Sequence, residues 1–222
     1  MLKLIIGNKA YSSWSLRGWL AARQSGLPFE ELVIPMFGEE WSRAREGDEF
    51  APSSGKVPVL WDGETVVWDS LAIVEYLADK TERDRFWPRQ EAARGMARSM
   101  AAEMHSSYAA LRREHGMNVR KVFPAKPLSP EVRVEIDRIL ELWAQARARF
   151  GGTGPFLFGD WCAADIMYAP VVTRFLSYSI PLPPFAEMYV KAVLTHPHML
   201  EWIEAAQDEP WVIEKYEAAA TA

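Results

Sequence analysis

The sequence GKVPVLWDGETVVWDSLAIVEYL, residues 55–77, carries three structural signals in a fixed order. Two short runs rich in β-branched and aromatic residues, Val57–Trp61 and Thr65–Trp68, flank Asp62–Gly63, a dipeptide that favours a hairpin turn. Asp69 then suits a helix N-cap, and apolar residues recur after it at helical spacing. The stretch therefore predicts an antiparallel hairpin that leads directly into an amphipathic helix.

Pro58 interrupts the first of these runs. Because proline donates no hydrogen bond to a sheet, it must lie at a strand start, an edge or a bulge, and a cis bond between Val57 and Pro58 is compatible with that place. Backbone groups beside such an unpaired edge are free to hold an extended peptide. The hairpin is thus a candidate peptide-binding edge.

The residues before the hairpin alternate between short apolar runs and helical patterns. Strands are predicted over Leu2–Ile6 and Glu31–Pro35, with a helix between them that starts among Ser12–Ser15. The polar residues 38–50 predict a short helix. Residues 1–80 therefore follow the order βαβ-α-ββα, an α/β pattern typical of a thioredoxin-like domain.

After Lys80 the composition changes, and no further strand pair is indicated. A charged stretch ends at Trp87–Pro88, a dipeptide that breaks helices. The predicted helices that follow span residues 90–115, 129–150 and 162–179, with two shorter helices to about residue 206. We therefore predict a second, all-helical domain over residues 88–222.

Composition limits the function. The 222 residues are 49% hydrophobic and 25% charged, as in globular proteins, and a net charge of −5 gives no reason to expect nucleic acid or an anionic membrane as partner. No apolar run approaches the ~20 residues of a membrane span, and Leu2–Ile6 is too short for a signal peptide, so we expect a cytoplasmic protein. The single Cys162 excludes an intramolecular disulfide. His196 and His198 have no third ligand cluster nearby in sequence, so we expect no metal site.

The segment YSSWSLR, Tyr11–Arg17, joins the first predicted strand to the first helix. A helix N-terminus stabilises an anion there, and it can lower a thiol pKa from about 8.5 to roughly 3.5–7.5. A serine hydroxyl that donates to the sulfur would add to this effect, and the nucleophile would then be the thiolate of a bound cosubstrate. In the simplest alternative the serines only cap the helix and Tyr11 only packs.

These two segments together resemble the glutathione transferases. In that family a V-P-x-L turn with a cis proline holds the cysteinyl backbone of glutathione, and an acidic residue followed by serine holds its γ-glutamyl end. The resemblance assigns these two roles to Val57 and Pro58 and to Asp69 and Ser70.

The glycine carboxylate of glutathione needs a cation. Lys56 and Arg43 are the two candidates, and either could equally be a solvated surface charge.

The loop is similar to the serine-type classes, and its Ser-Ser-x-Ser-x-Arg pattern is particularly similar to the zeta class, which has cysteine where Trp14 stands. This resemblance makes Ser12 the first candidate for the thiolate donor, Ser13 the second and Tyr11 the third. The loop holds no cysteine, which removes the mixed-disulfide chemistry of the cysteine-type classes.

A second mark of the family is FGDWCAAD, Phe158–Asp165. It resembles the capping box that starts the buried helix of glutathione transferases, with Cys162 at the hydroxyl position and Asp165 three residues on. We expect this motif to be structural. The sequence of this motif resembles that of a bacterial, YfcF-like subgroup whose members are linked to peroxide reduction.

Four residues of the helix predicted over residues 90–115 share a helical face that the family turns toward the electrophile: Met104, His105, Tyr108 and Arg112. Such a face is more often core than pocket, and both readings stay open.

The resemblance covers nearly the whole chain. It implies a homodimeric detoxification enzyme of the glutathione transferase type, which uses glutathione as cosubstrate, without a metal, to attack a small hydrophobic electrophile or a peroxide. The alternatives are a non-catalytic ligand-binding or assembly module of the same fold and a glutathione-dependent isomerase.

Overall fold

The computed structural model describes residues 1–218, so the last four residues of the predicted helical domain, 219–222, lie outside the described residues. The strands are β1 Leu2–Ile6, β2 Phe29–Val33, β3 Val59–Asp62 and β4 Thr65–Trp68. The helices are α1 Ser13–Ser25, α2 Glu39–Glu46, α3 Ser70–Lys80, α4 Arg83–Phe86, α5 Glu91–Ser106, α6 Ala109–Glu114, α7 Pro130–Phe150, α8 Ala163–Ser177, α9 Pro184–Leu194 and α10 Pro197–Gln207.

The four strands form one mixed sheet in the order β2-β1-β3-β4. β1 runs parallel to β2 and antiparallel to β3, and β3 and β4 form the predicted hairpin, in which Asp62 is paired with Thr65. Gly63 in the turn has φ of 61°, a conformation that glycine adopts without strain. The thioredoxin-like domain followed by a helical domain is therefore confirmed.

Helix α1 lies between the two parts of the chain, packing against α3 on one side and α8 on the other. Its residues Leu16 and Leu20 are fully buried in a core that also includes Ile166 and Met167 of α8. Burial of apolar area at this junction stabilises by about 25 cal/mol per Å². The start of α1 is thus fixed against both the sheet and the helical bundle.

Three predicted segments differ from the structure. The second strand lies at Phe29–Val33 rather than 31–35, and a short helix, α4, occupies the charged stretch between the two predicted domains. The prediction of one continuous helix over residues 90–115 is wrong. The helix is interrupted between α5 and α6, where Tyr108 has φ of 63°. The placement of the domain boundary between residues 80 and 88 stays a prediction.

Within residues 1–218 no helix has both the length and the apolar character needed to cross a membrane.

Candidate functional site

A cavity of about 460 Å³ opens where the start of α1, the Pro58 turn and the start of α3 meet. Its walls include six of the residues singled out in the sequence: Ser12, Lys56, Val57, Pro58, Asp69 and Ser70. The other wall residues are Ser53, His105 and four aromatic or apolar residues, Trp14, Met36, Trp41 and Trp68. We call this cavity the first pocket.

The turn before β3 forms one wall of the first pocket. The Val57–Pro58 peptide bond is cis, and both residues lie just outside the paired strands, since pairing of β3 begins at Val59. On the other side of the turn, a Cβ at Gly18 of α1 would lie 2.7 Å from the Pro58 ring. Only glycine therefore lets α1 approach the turn this closely.

The start of α3 forms the polar end of the first pocket. Asp69 caps the helix in a left-handed conformation, with φ of 75°, and its Oδ1 accepts hydrogen bonds from the backbone N–H of Leu71 at 2.8 Å and Ala72 at 3.4 Å. Its Oδ2 lies 3.2 Å from Nε2 of His105 on α5. Ser70 is fully buried, and its Oγ has no hydrogen-bond partner within residues 1–218. An unpaired buried hydroxyl is costly, so a ligand group that bonds to it would relieve that cost.

The two candidate cations for the glycine end occupy different places. Lys56 lines the first pocket beside Val57. Arg43 lies on the exposed surface of α2, where it is paired with Glu39 at 3.6 Å, and it is absent from the walls of the first pocket. The structure thus brings Lys56 to the site and leaves Arg43 outside it.

Ser12 is the N-cap of α1. Its Oγ accepts from the backbone N–H of Ser15 at 3.3 Å and lies 2.8 Å from Ser15 Oγ, which in turn accepts from the backbone N–H of Gly7 at 2.9 Å. Ser12 is almost fully buried, yet it forms part of the wall of the first pocket. The hydroxyl therefore lies where the positive end of the α1 dipole meets the cavity.

A second pocket of about 250 Å³ adjoins the first and shares Ser12, Trp14 and Met36 with it. Its other walls come from both domains: Tyr11, Ser13, Phe37, Arg112, Gly116, Met117, Arg174 and Tyr216. Ser12 lies at the junction of the two pockets, whereas Ser13 and Tyr11 line only the second.

The Tyr11 hydroxyl is engaged away from the first pocket. It donates to Glu217 Oε1 at 2.6 Å and accepts from Arg120 Nη2 at 2.5 Å, and its ring stacks on Tyr216. Burial, followed by the bond to Glu217, raises the pKa of Tyr11 above its ordinary value. This environment makes the tyrosine a poorer activator of a thiol than its sequence position indicates.

The loop before α1 is held by a residue far along the chain. Glu209 accepts hydrogen bonds from the backbone N–H of Lys9 at 2.6 Å and of Ala10 at 3.0 Å. Since α10 ends at Gln207, the segment that follows the last helix fixes the backbone that presents Ser12.

The face expected from the sequence to be either core or pocket is divided. Met104 is fully buried, and Tyr108, also buried, donates its hydroxyl to Glu103 at 2.9 Å. His105 lines the first pocket and Arg112 the second. The break at Tyr108 turns Arg112 away from the line of α5, so both readings hold for different residues.

No role was predicted from the sequence for Trp14 and Arg174, which line the second pocket, or for Arg17, which lies behind its wall. The Arg17 guanidinium lies 4.8 Å from the centre of the Trp14 ring and that of Arg112 lies 4.9 Å from it, both within cation–π range. A signal was present for Arg174, the only basic residue in the apolar sequence of α8.

The start of α8 is closed to solvent. Asp165 accepts from the backbone N–H of Cys162 at 2.9 Å and of Leu157 at 3.1 Å and from the Tyr189 hydroxyl at 3.0 Å. Burial raises the pKa of Asp165 to about 6 and that of the Cys162 thiol well above its ordinary value. The capping box is present, and its role is structural.

The histidine pair His196 and His198 serves a helix start instead. His196 caps α10, its Nδ1 accepts from the His198 backbone N–H at 3.3 Å, and its ring stacks on Trp161 with 4.0 Å between centroids. Within residues 1–218 no group of three or more His, Cys, Asp or Glu side chains is arranged to hold a metal ion.

A cis-proline turn and two helix starts of a thioredoxin-like domain, lining a cavity closed by a helical bundle, define the glutathione transferase class of fold. Residues 11–80 match the family model described as glutathione S-transferase, N-terminal domain. This part of the chain is therefore similar to the N-terminal domain of glutathione S-transferases.

Solved structures extend the likeness to almost the whole chain. A maleyl pyruvate isomerase, a bacterial glutathione S-transferase of the zeta class, has a TM-score of 0.69 at 22% identity, covering 93% of this chain and 99% of that one. A glutathione transferase homologue from Burkholderia with bound glutathione has a TM-score of 0.68 at 20% identity, covering 93% of this chain and 98% of that one. At these identities the likeness shows the fold.

Among curated proteins, the dichloromethane dehalogenase of Methylorubrum extorquens is 38% identical over 61 residues. The match spans 28% of this chain and 21% of the length of the dehalogenase.

Proposed function

We propose that this protein binds glutathione in the first pocket and activates its thiolate for attack on a small hydrophobic electrophile or a peroxide. The observation that carries this proposal is the position of Ser12, which caps α1 at the junction of two pockets. A cosubstrate sulfur placed there would meet a hydroxyl and a helix N-terminus, with room beside it for a second molecule.

Each part of glutathione has a matching group in the first pocket. The unpaired Ser70 hydroxyl at the start of α3 suits the γ-glutamyl carboxylate, and Asp69, whose side chain is 41% exposed, suits the adjacent ammonium. The backbone beside the cis Pro58 suits the cysteinyl amide groups, and Lys56 suits the glycine carboxylate. These assignments place the cysteinyl sulfur toward Ser12.

The hydrogen bonds around Ser12 leave it a proton to donate. Without a ligand, the Ser12 hydroxyl donates to Ser15 Oγ at 2.8 Å. Hydroxyl protons rotate to suit their neighbours, so Ser12 can turn its proton to a bound sulfur, and Ser15 can then donate to Ser12. Ser12 then donates to the thiolate and stabilises the anion without forming a covalent bond.

The chemistry balances for both kinds of second substrate. With an electrophile, the thiol proton goes to solvent, a carbon–sulfur bond forms and the leaving group departs with the bonding pair. With a peroxide, the thiolate takes one oxygen and releases an alcohol, and a second glutathione then reduces the sulfenic acid to give the disulfide and water. We also propose that the protein is a cytoplasmic homodimer, which analytical ultracentrifugation would test for the assembly.

The proposal is tested by the absorbance of the glutathione thiolate on mixing with the protein across pH. We expect a bound thiol pKa at least one unit below the free value in the wild type and a return toward the free value in Ser12→Ala. Ser13→Ala is the matched control, since Ser13 lines only the second pocket, and Tyr11→Phe should also keep the lowered pKa. Binding with an unshifted thiol would leave a non-catalytic module as the better account.

A further inference from the structure

Three arginines, Arg17, Arg112 and Arg174, gather at the second pocket. Arg112 and Arg174 line the cavity, and Arg17 lies behind the Trp14 ring without reaching the wall. They come from α6, α8 and α1, so the two domains supply them together. Arg17 is fully buried and Arg174 almost so.

The bonding capacity of these guanidinium groups is only partly used within residues 1–218. Arg17 donates from Nε to the Met167 carbonyl at 2.9 Å, while its Nη1 and Nη2 have no hydrogen-bond partner there. Arg112 donates from Nε to the Ser107 carbonyl at 3.0 Å and from Nη2 to the carbonyls of Met104 and His105, whereas its buried Nη1 has no partner there. An unpaired buried cation is costly unless an anion meets it.

Arg174 uses two of its three nitrogens on backbone carbonyls. Its Nε donates to His115 at 2.8 Å and its Nη1 to Pro170 at 3.0 Å. These bonds fix the guanidinium plane at the pocket wall. Burial, and next the charge of Arg112, lowers the pKa of Arg174 to about 9.

Two carboxylates act on these arginines from outside the second pocket. Glu135 faces Arg112, but its two oxygens accept from the backbone N–H of Ala110 at 3.1 Å and of Leu111 at 2.7 Å. Asp69 acts on Arg17 from the first pocket. No acidic side chain lines the second pocket among the described residues, so the charged groups on its wall are the guanidinium groups of Arg112 and Arg174.

The remaining walls are apolar and aromatic: Trp14, Phe37, Met117 and Tyr216. Lys215 lies at the same edge, with Nζ 3.7 Å from the centre of the Phe37 ring. A flat or conjugated body fits the aromatic walls, while an anion fits the guanidinium groups.

We infer that the electrophile is a short conjugated or aromatic molecule carrying a carboxylate, which Arg112 and Arg174 bind while the reacting carbon faces Ser12. This inference rests on the proposed function and adds a charged group to the apolar body of the substrate. The anion anchors the electrophile at the wall away from the sulfur, and the thiolate attacks the carbon at the junction of the two pockets.

The test uses two probes with the same chloronitrophenyl ring, the anion 4-chloro-3-nitrobenzoate and its neutral methyl ester. Glutathione displaces chloride from either probe as the carbon–sulfur bond forms. We expect kcat/KM for the acid to exceed that for the ester at least tenfold in the wild type, after correction for the uncatalysed rates. Equal rates, or a preference for the ester, would overturn the inference.

Arg112→Met should reduce the acid-to-ester ratio toward one. Arg113→Met is the matched control, because Arg113 is exposed on the same helix and paired with Glu114, and its ratio should match the wild type. If Arg112→Met fails to fold, competition by 3-nitrobenzoate against its methyl ester in the wild type gives the same comparison. An equal effect of the two competitors would again contradict the inference.

Thiolate absorbance in the same samples separates this inference from the proposed function. If glutathione is neither bound nor ionised, the proposed function fails. Calorimetry of 4-chloro-3-nitrobenzoate with the protein alone then decides the inference: binding of the acid and not the ester supports an anion pocket, and no difference refutes it.

Discussion

Helices α3 and α8 both start with an acidic side chain that accepts hydrogen bonds from backbone N–H groups. The two starts differ in how exposed that side chain is and in whether every buried polar atom has a partner. At α8, Asp165 is fully buried, and its two oxygens accept three hydrogen bonds from neighbouring groups. At α3, Asp69 is 41% exposed in its side chain and the adjacent Ser70 hydroxyl is buried without a partner in residues 1–218.

This difference gives a criterion for distinguishing a structural cap from a binding site. A structural cap uses all of its polar atoms on the protein itself, whereas a site for a ligand keeps some of them unpaired beside a cavity. The free atom, rather than the residue type, marks the function. Four substitutions and one matched control test this contrast.

The largest effect is expected at the closed start. Asp165→Ala leaves the backbone N–H groups of Leu157 and Cys162 buried without a partner, so we expect the free energy of unfolding to fall by about 3–5 kcal/mol. Urea denaturation followed by circular dichroism measures the change. A loss under ~1 kcal/mol would show that the cap does not hold the helical domain.

At the open start, stability and binding should change in opposite directions. Ser70→Ala removes an unpaired buried hydroxyl, so we expect unchanged or slightly higher stability, together with glutathione binding weaker by about tenfold, or roughly 1.4 kcal/mol. Calorimetric titration and urea denaturation measure the two quantities.

Ser25→Ala is the matched control for Ser70→Ala. Ser25 is also buried, but its hydroxyl donates to the Ala22 carbonyl at 2.7 Å. We expect this variant to lose about 1 kcal/mol of stability and to bind glutathione as the wild type does. Equal changes in stability and in glutathione binding for the two serine variants would show that an unpaired hydroxyl does not distinguish a ligand site from a structural cap.

The start of α10 adds a cap that depends on pH. Burial, and next His198, lowers the pKa of His196 to about 4, below its ordinary value near 6.5. The neutral ring is therefore favoured in the fold, and its contribution is present above pH 6.5 and is lost as the pH falls through 4.

We expect this loss to be on the order of 2 kcal/mol, and His196→Asn, which keeps a capping group without a charge, should reduce it. The measurement is urea denaturation of both proteins from pH 7 to 4. Parallel pH profiles would show that His196 does not titrate with folding.

The smallest effect is expected at Cys162. Serine is a stronger hydrogen-bond partner than a thiol at an N-cap, so Cys162→Ser should raise the free energy of unfolding by less than about 1 kcal/mol. Thermal denaturation of the two proteins resolves a change of this size. A large loss would mean that sulfur packing, and not capping, determines the residue at this position.

Local signals made much of the fold and one side of the candidate site predictable. Pro58, the turn at Gly63 and the cap at Asp69 lie within a few residues of each other, so their chemistry is readable without long-range contacts. The same holds for Ser12 at the start of α1. Each of these residues acts through the backbone of its own segment.

The second pocket was not predictable in this way. Arg17, Arg112 and Arg174 are far apart in sequence, and only the packing of α1, α6 and α8 brings them together. The break before α6 has neither glycine nor proline to mark it, since Ser107 and Tyr108 stand there. Helical periodicity therefore continued through a point where tertiary contacts bend the chain.

The bonds from Glu209 to Lys9 and Ala10 set an order of assembly. Glu209 is separated from Lys9 by 200 positions and from Ala10 by 199. The loop before Ser12 therefore has its final support only after residue 209 is available. A ribosome synthesises the chain from the N-terminus to the C-terminus, so the thioredoxin-like part emerges long before residue 209 does. The loop before Ser12 therefore gains this support only once the chain has been synthesised as far as Glu209, and a chain that stops before Glu209 would carry the residues of the first pocket without that support.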